Sequence, residues 1–334
     1  MTEWQGQRVL VTGAGGFIGA HLTRALAAAG AHVFALVRPS TDAWRLSAEE
    51  PAWSIVTADL MDADATASVV RFARPSIVFN AAAVPGHFET TPARSIAQAG
   101  TLIASSNLCR ALTEPDQSVQ RLVHFGSSLE YGVANEPLSE SRALMPTTGR
   151  GLVKAEETLY LLQVARNTGL PLTVVRPFSV YGPWERPARF VPTLMRCILD
   201  GTELRLTKTG LRRDFVFVAD VVAAAMRAAF APEAAGEIIN VGTGRQTTNE
   251  EIVATAERVC DTSVRIAPTP FPQRLVDTDF WVADVRKAQG LLGWSARTGL
   301  DEGLRETYQW SAGSVGSAAR HLHRRNEAAS GAGS

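Results

Sequence analysis

Val9-Leu10-Val11-Thr12-Gly13-Ala14-Gly15-Gly16-Phe17-Ile18-Gly19 is the stretch that decides how this chain folds. An apolar run ends at Thr12, and a helical pattern begins at Phe17. Between and beyond them, Gly13, Gly16 and Gly19 recur at every third position. In a strand–turn–helix unit the first such glycine allows a tight turn. The second lets a pyrophosphate approach the backbone, and the third lets the helix press against the sheet. Free N–H groups and the positive end of the helix then face the anion. The stretch therefore predicts a dinucleotide site built on Gly13, Gly16, Phe17, Ile18 and Gly19 at the carboxyl edge of a parallel sheet.

Working outward, apolar runs at Arg8 to Thr12, Val33 to Val37, Trp53 to Ala58, Ser76 to Ala82, Arg121 to Gly126 and Leu172 to Phe178 read as strands. They are apolar throughout rather than alternating, as strands covered by helices on both faces must be. Helical patterns fill the gaps at Phe17 to Ala29, Asp64 to Phe72, Pro92 to Leu112 and Gly149 to Asn167. The fold class is α/β, a Rossmann-type doubly wound parallel sheet with a smaller C-terminal lobe. After Gly182 the alternation breaks into proline-rich loops, with helices near Val191 to Leu199, Val221 to Phe230, Asn249 to Cys260 and Leu300 to Trp310. The segments Asp220 to Phe230 and Ile238 to Val241 are candidates to return to the main sheet. Ser311 to Ser334 lacks a sustained apolar period and is expected to be a flexible tail.

Composition narrows the partners. With 33 basic and 33 acidic side chains in 334 residues the net charge is zero, which argues against nucleic acid and an anionic membrane surface. Cys109, Cys197 and Cys260 lie far apart without C-x-x-C spacing, so neither a disulfide framework nor a metal site is expected, and a cytoplasmic setting is. The chain runs directly into its first strand, so no cleavable signal is expected. No apolar run approaches the roughly 20 residues needed to cross a bilayer.

The end of the second strand selects between dinucleotides. An acid there accepts from the ribose 2′-hydroxyl of NAD, whereas a cation suits the 2′-phosphate of NADP. This chain offers Val37-Arg38, so NADP(H) is favoured and NAD(H) is the alternative. Asp59, with Leu60 beside it, is placed to meet the adenine amino group.

With these motifs in hand, the chain resembles an extended short-chain dehydrogenase/reductase of the NAD(P)-dependent nucleotide-sugar epimerase, dehydratase and ketoreductase group. The likeness runs from about Val9 to Trp310. It is carried by Thr12 to Gly19, Asp59-Leu60, Asn80-Ala81-Ala82, Ser127-Ser128 leading to Tyr131-Gly132, and Lys154. Further along come Arg176-Pro177-Phe178-Ser179-Val180-Tyr181-Gly182-Pro183, Arg213-Asp214-Phe215-Val216, Asn240-Val241-Gly242 and Leu292-Gly293-Trp294. The resemblance implies that Ala81 borders the cofactor and that Ser127, or Ser128 one residue on, binds the reacting sugar oxygen. Lys154 would hold the nicotinamide ribose. The family places a tyrosine four residues before that lysine; here Arg150 stands there. None of Tyr131, Tyr160, Tyr181 and Tyr308 has a lysine four residues later. Arginine titrates above about 12 and is a poor proton shuttle, yet it stabilises a developing alkoxide. His87, in the loop after the fourth strand, is the reserve acid–base group.

On the substrate side the resemblance implies a nucleoside-diphosphate sugar, its diphosphate met by Arg186, Arg189 and Arg213 and its sugar bordered by Ser179. Arginine's planar fork suits that anion. Asp214 and Asp220 read as positional, the latter as a cap for a helix from Val221. Residues 1–180 are taken mainly as the dinucleotide-binding domain, 181–310 mainly as the nucleotide-sugar lobe and 311–334 as the tail. A 4,6-dehydratase of this group carries Asp-Glu after the reactive hydroxyl residue; here Ser128 and Leu129 follow Ser127. The favoured expectation is NADPH-dependent reduction of a keto-(deoxy)hexose at C4. The alternatives are an NAD(P)-dependent 4-epimerase and a catalytically impaired nucleotide-sugar/dinucleotide-binding protein. The segments Pro92 to Leu112 and Gly149 to Asn167 resemble the helices of a homodimer interface.

Overall fold

The structure, a computed structural model, describes residues 2–47, 52–84, 91–207, 209–272 and 280–313. The chain opens with β1 (Arg8–Thr12), α1 (Phe17–Ala28), β2 (His32–Val37), β3 (Trp53–Thr57) and α2 (Ala63–Ala73). It continues through β4 (Ile77–Asn80), α3 (Thr91–Leu112), β5 (Arg121–Phe125), α4 (Gly149–Thr168) and β6 (Leu172–Pro177). Then come β7 (Ser179–Tyr181), α5 (Phe190–Asp200), β8 (Arg212–Arg213), β9 (Phe215–Phe217), α6 (Val218–Phe230) and β10 (Ile238–Val241). The last elements are β11 (Thr247–Thr248), α7 (Asn249–Cys260), α8 (Arg286–Leu292) and α9 (Leu300–Ala312).

Seven strands form one parallel sheet in the order β10-β6-β5-β4-β1-β2-β3. Successive residues of β1 explain why its sequence is apolar without alternation. Val9 and Val11 pack into the layer that α1 and α6 cover, with Leu22, Leu26, Val221 and Ala225. Leu10 points to the other face, among Val70, Leu108, Leu122 and Leu161 from α2, α3, β5 and α4. Each such fully buried large side chain contributes roughly 1.5–3 kcal/mol. The two layers clamp the sheet so that its strand ends cannot shift independently.

The direction of winding reverses between β1 and β4, which opens a crevice at their carboxyl ends. A smaller core of Tyr181, Leu194, Met195, Phe217, Ile252 and Leu304 supports the second lobe. Buried Asp214 ties that lobe together, accepting from the backbone N–H groups of Thr243, Gly244 and Ala283. Asp220 does not cap a helix at Val221. The helix starts at Val218, and the carboxylate accepts from Arg297 and Thr298 N–H instead. Among the described residues no helix is long and apolar enough to cross a membrane. The expected tail from Ser311 onward falls largely on residues 314–334, outside those described.

Candidate active site

At the carboxyl end of β1, Gly13 adopts φ +66°, and a Cβ there would meet the Ala81 carbonyl oxygen at 2.6 Å and Ala82 Cα at 2.7 Å. A Cβ on Gly19 would run into the Gly13 carbonyl oxygen, and one on Gly16 would lie 3.0 Å from the same atom. The turn is thus a cradle of backbone in which missing side chains set the shape. Phe17 and Ile18 begin α1 and lean on the second lobe's core. A bridge from the next strand loop closes one side: Arg45 donates to the Gly15 carbonyl and to that of Trp184. Trp184 has φ +69°, a costly conformation for a bulky residue. Its ring lies 4.3 Å from the His21 ring and under the Arg24 guanidinium. Burial foremost, then the neighbouring arginines, lower the His21 pKa to about 4, against the hydrogen bond that its Nε2 makes to the Pro183 carbonyl.

The seam between β5 and α4 brings together Ser127, Arg150 and Lys154. Ser127 caps a short 3₁₀ turn, accepting from Leu129 N–H at 3.2 Å, while its own N–H donates to Glu130. The accepting bond leaves the Ser127 O–H free to donate. Ser128 lies deeper, buried with its Oγ accepting from Trp281 Nε1. Thr148 caps α4, and the missing Cβ of Gly151 lets that helix press on the Leu129 carbonyl. This contact fixes Ser127 beside the first turns of α4. Lys154 Nζ donates to the Phe125 carbonyl at 2.9 Å and to Glu157 Oε2 at 2.8 Å. Arg150 is exposed on the first turn of the same helix.

All four tyrosines are described, and each is engaged in packing. Tyr131 is fully buried, donates to Asn240 Oδ1 at 2.8 Å and lies beneath Arg176; burial pushes its hydroxyl up to about 12. Arg176 in turn pairs with buried Glu130 at 2.7 Å. Tyr181 packs on Phe215 and Phe217 with its hydroxyl against Gly303, and burial raises its pKa strongly. Tyr160 and Tyr308 pack against the second and third cores. His87 lies outside the described residues.

A second cavity, of about 190 Å³, lies between the β7 to α5 segment and the second lobe. It gathers Ser179, Arg189 and Arg213 from the sequence-expected set. Arg213 lies 5.6 Å from the Trp281 ring. Arg186 is exposed on the adjoining loop. Sequence reasoning missed Glu185, Arg205 and Phe271 on the same wall. Arg205 donates to the Thr269 and Pro270 carbonyls, which ties the Phe271 segment to the cavity. Glu185 is buried with one oxygen 3.4 Å from Arg189 and the other without a partner; burial pushes its pKa up to about 8 despite that arginine. At the end of β3, Asp59 accepts from Met61 N–H, and Leu60 is buried with its carbonyl held by Asn107.

Known proteins of one family share this chain's sequence pattern and fold. The sequence profile described as "NAD dependent epimerase/dehydratase family" matches residues 9–242. The UDP-glucose 4-epimerase of Mycolicibacterium smegmatis is 30% identical over 315 residues, 91% of this chain and 98% of that protein. MoeE5, solved with UDP-glucose and NAD, superposes with a TM-score of 0.79 at 31% identity, covering 91% of this chain and 98% of its own. The UDP-glucose 4-epimerase of Thermotoga maritima, solved with UDP-glucose, gives a TM-score of 0.82 at 26% identity over 90% and 97%. MoeE5 also holds NAD in its complex with UDP-glucuronic acid.

The NAD in these complexes and the NAD dependence of the family overturn the expected preference for NADP(H), and with it an NADPH-consuming reduction. The physical reason lies in Arg38. It is exposed at the end of β2, where an arginine in water gains little from a phosphate without neighbours to fix its fork. Arg45, the next cation along that segment, donates to the carbonyls of Gly15 and Trp184.

Proposed function

This chain belongs to the NAD dependent epimerase/dehydratase family, and from that premise we propose that it binds NAD and a UDP-hexose and inverts the sugar at C4. The observation that carries the reading is the juxtaposition of the glycine cradle with Lys154, which is anchored on the last carbonyl of β5. The cradle fits a dinucleotide, since the missing Cβ atoms of Gly13 and Gly19 let the turn close on Ala81 and the helix pack on the Gly13 carbonyl, and Gly16 is the position at which backbone approaches a pyrophosphate in such a turn. NAD, when bound, would supply a hydride acceptor for C4, and return of that hydride to the opposite face of the same carbon would invert it.

The chain's own residues divide the remaining work. Gly13, Gly16, Phe17, Ile18 and Gly19 hold the pyrophosphate, Asp59, Leu60 and Ala81 border the adenine side, and Lys154 takes the nicotinamide ribose. Ser127 donates its free hydroxyl hydrogen to the sugar oxygen. Arg150, standing where the family resemblance expects tyrosine, stabilises negative charge on that oxygen without giving up its own proton. His87 is the proposed proton carrier. Arg189 and Arg213 bind the diphosphate, with Arg186 at the entrance and Ser179 beside the sugar. Cofactor and nucleotide sugar thus divide between residues 1–180 and 181–310. The proposed assembly is a homodimer through α3 and α4, whose exposed Ile96, Ile103 and Leu159 need cover.

A second reading, a nucleotide-sugar-binding protein without turnover, is favoured by one observation: every tyrosine hydroxyl or ring is engaged in packing. One experiment separates the two. Purified protein with NAD and UDP-glucose is expected to form the C4 epimer without net NADH. Binding of both ligands with no turnover of UDP-glucose, UDP-glucuronic acid or their C4 epimers overturns the epimerase reading in favour of the second.

A further inference from the structure

Parallel pairing puts Thr12, Asn80 and His124 side by side on β1, β4 and β5, since Thr12 registers with Asn80 and Asn80 with His124. All three are buried to within 2%. Their hydrogen bonds have one consistent direction. Ala82 N–H donates to Thr12 Oγ1 at 3.2 Å, so the Thr12 hydrogen is free to donate to Asn80 Oδ1 at 2.7 Å. That bond fixes the Asn80 amide, whose Nδ2 donates to His124 Nδ1 at 3.2 Å. The imidazole therefore carries its hydrogen on Nε2, which faces Glu157 Oε2 at 3.6 Å, an electrostatic approach longer than a hydrogen bond. Burial lowers the His124 pKa to about 4, so the ring is neutral at pH 7.

Glu157 is where three elements converge. Ser105 on α3 donates to Oε1 at 2.7 Å, and Lys154, one turn earlier on α4, donates to Oε2 at 2.8 Å. Burial opposes its charge. The Lys154 ammonium, His124 and the two hydrogen bonds outweigh that opposition and hold the carboxyl below the usual range. The same charge, after burial, helps push the Cys109 thiol up to about 12. Lys154 is a flexible chain ending in three donors. Phe125 O and Glu157 take two of them, leaving one hydrogen for a ligand in the crevice.

We propose that Glu157 is a positioning residue that holds Lys154 ready for the cofactor ribose, with Thr12, Asn80 and His124 holding Glu157 in turn. The first link of the row, Ala82, also places its Cα, beside the Ala81 carbonyl, at the missing Cβ position of Gly13. The pyrophosphate turn and the lysine are therefore parts of one polar assembly 142 positions apart in sequence, from Thr12 to Lys154. This inference rests on Lys154 being the cofactor ligand of the function proposed above.

The test is NAD affinity of the full chain by isothermal titration calorimetry, in a double-mutant cycle with Lys154→Met. Glu157→Gln is expected to weaken NAD binding on the order of 10- to 100-fold, because it strands a partly buried ammonium. In the Lys154→Met background the same change is expected to alter affinity less than about 2-fold. Glu157→Asp and His124→Gln run through the same cycle, with smaller losses that also vanish without Lys154, so the outcome does not depend on one variant folding. Equal losses in both backgrounds, or no loss in either, overturn the proposal. Wild-type turnover of UDP-glucose is measured separately. An inactive wild type whose NAD affinity still shows the coupling refutes the epimerase reading and leaves the positioning role standing.

Discussion

The two walls of the crevice are made of different materials. Around Gly13 the fit is set by backbone atoms and by side chains that are missing, with the Ala81 and Gly13 carbonyls occupying the space a Cβ would need. Along the β5–α4 seam it is set by charged and hydroxyl side chains: Ser127 held by the turn it caps, Lys154 by a carbonyl of β5, and Glu157 by Ser105 of α3. A backbone wall fails sterically and all at once, whereas a side-chain wall fails by degrees and can exchange one group for another. The exchange proposed above, Arg150 where the family resemblance expects tyrosine, is of the kind the second wall permits.

Changes at five positions would break or sharpen this contrast. The largest effect belongs to Gly19→Val, which forces its side chain into the Gly13 carbonyl and is expected to weaken NAD binding by about 100-fold or more, equivalent to at least ~2.7 kcal/mol. Calorimetry with affinity kept within a few-fold would show that the turn is not the rigid wall described. Ser127→Ala comes next: turnover of UDP-glucose falls by about 10²–10³ while NAD affinity stays constant. In the same assay Arg150→Lys should keep turnover within roughly 10-fold of wild type and Arg150→Ala should not, if charge is what Arg150 supplies. Equal damage from both would assign Arg150 a geometric role.

Glu185 carries a fourth prediction, on stability. Burial raises its pKa from 4.5 to about 8, so the fold accepts the neutral acid. The stability it contributes is complete below about pH 4.5 and is lost as pH rises through 8. Glu185→Gln should remove that slope and gain about 1–3 kcal/mol over wild type at pH 9. Parallel denaturation curves for the two proteins from pH 5 to 9 would contradict it. The smallest effect is expected from Arg38→Ala: NAD affinity changes less than about 2-fold, because the side chain is exposed. A tenfold loss would mean that Arg38 bonds the cofactor directly.

The same contrast explains what was legible in the sequence. The glycine turn is local, and its strand, turn and helix appear where the pattern puts them. Lys154 and Glu157 stand three apart on one helix, so their pairing was open to reading from spacing. The row through Thr12, Asn80 and His124 was not, because it exists only once three distant strands fall into register. Arg205 and Phe271 reach the cavity beside β7 through contacts more than 60 residues long. Helix α8 escaped notice because seven residues carry too few turns for a period. Arg38 was misread for the opposite reason. Its residue type suggested a phosphate, and its solvation was invisible until the strand end was placed.

Asn240 sets a timetable for the ribosome. Its side chain accepts from Tyr131 and donates to the Leu138 carbonyl, and its N–H donates to Glu140, partners made 100 to 109 residues earlier. At about 5–20 residues per second those partners wait roughly 5–20 s for it. During that interval the tyrosine hydroxyl that will lie buried is answered by water, and the loop after Ser127 has no floor. A nascent chain interrupted before β10 therefore releases a fragment of up to 237 residues that contains the whole glycine turn but has an unfinished β5–α4 seam. Such fragments are the ones quality-control proteases are expected to meet first.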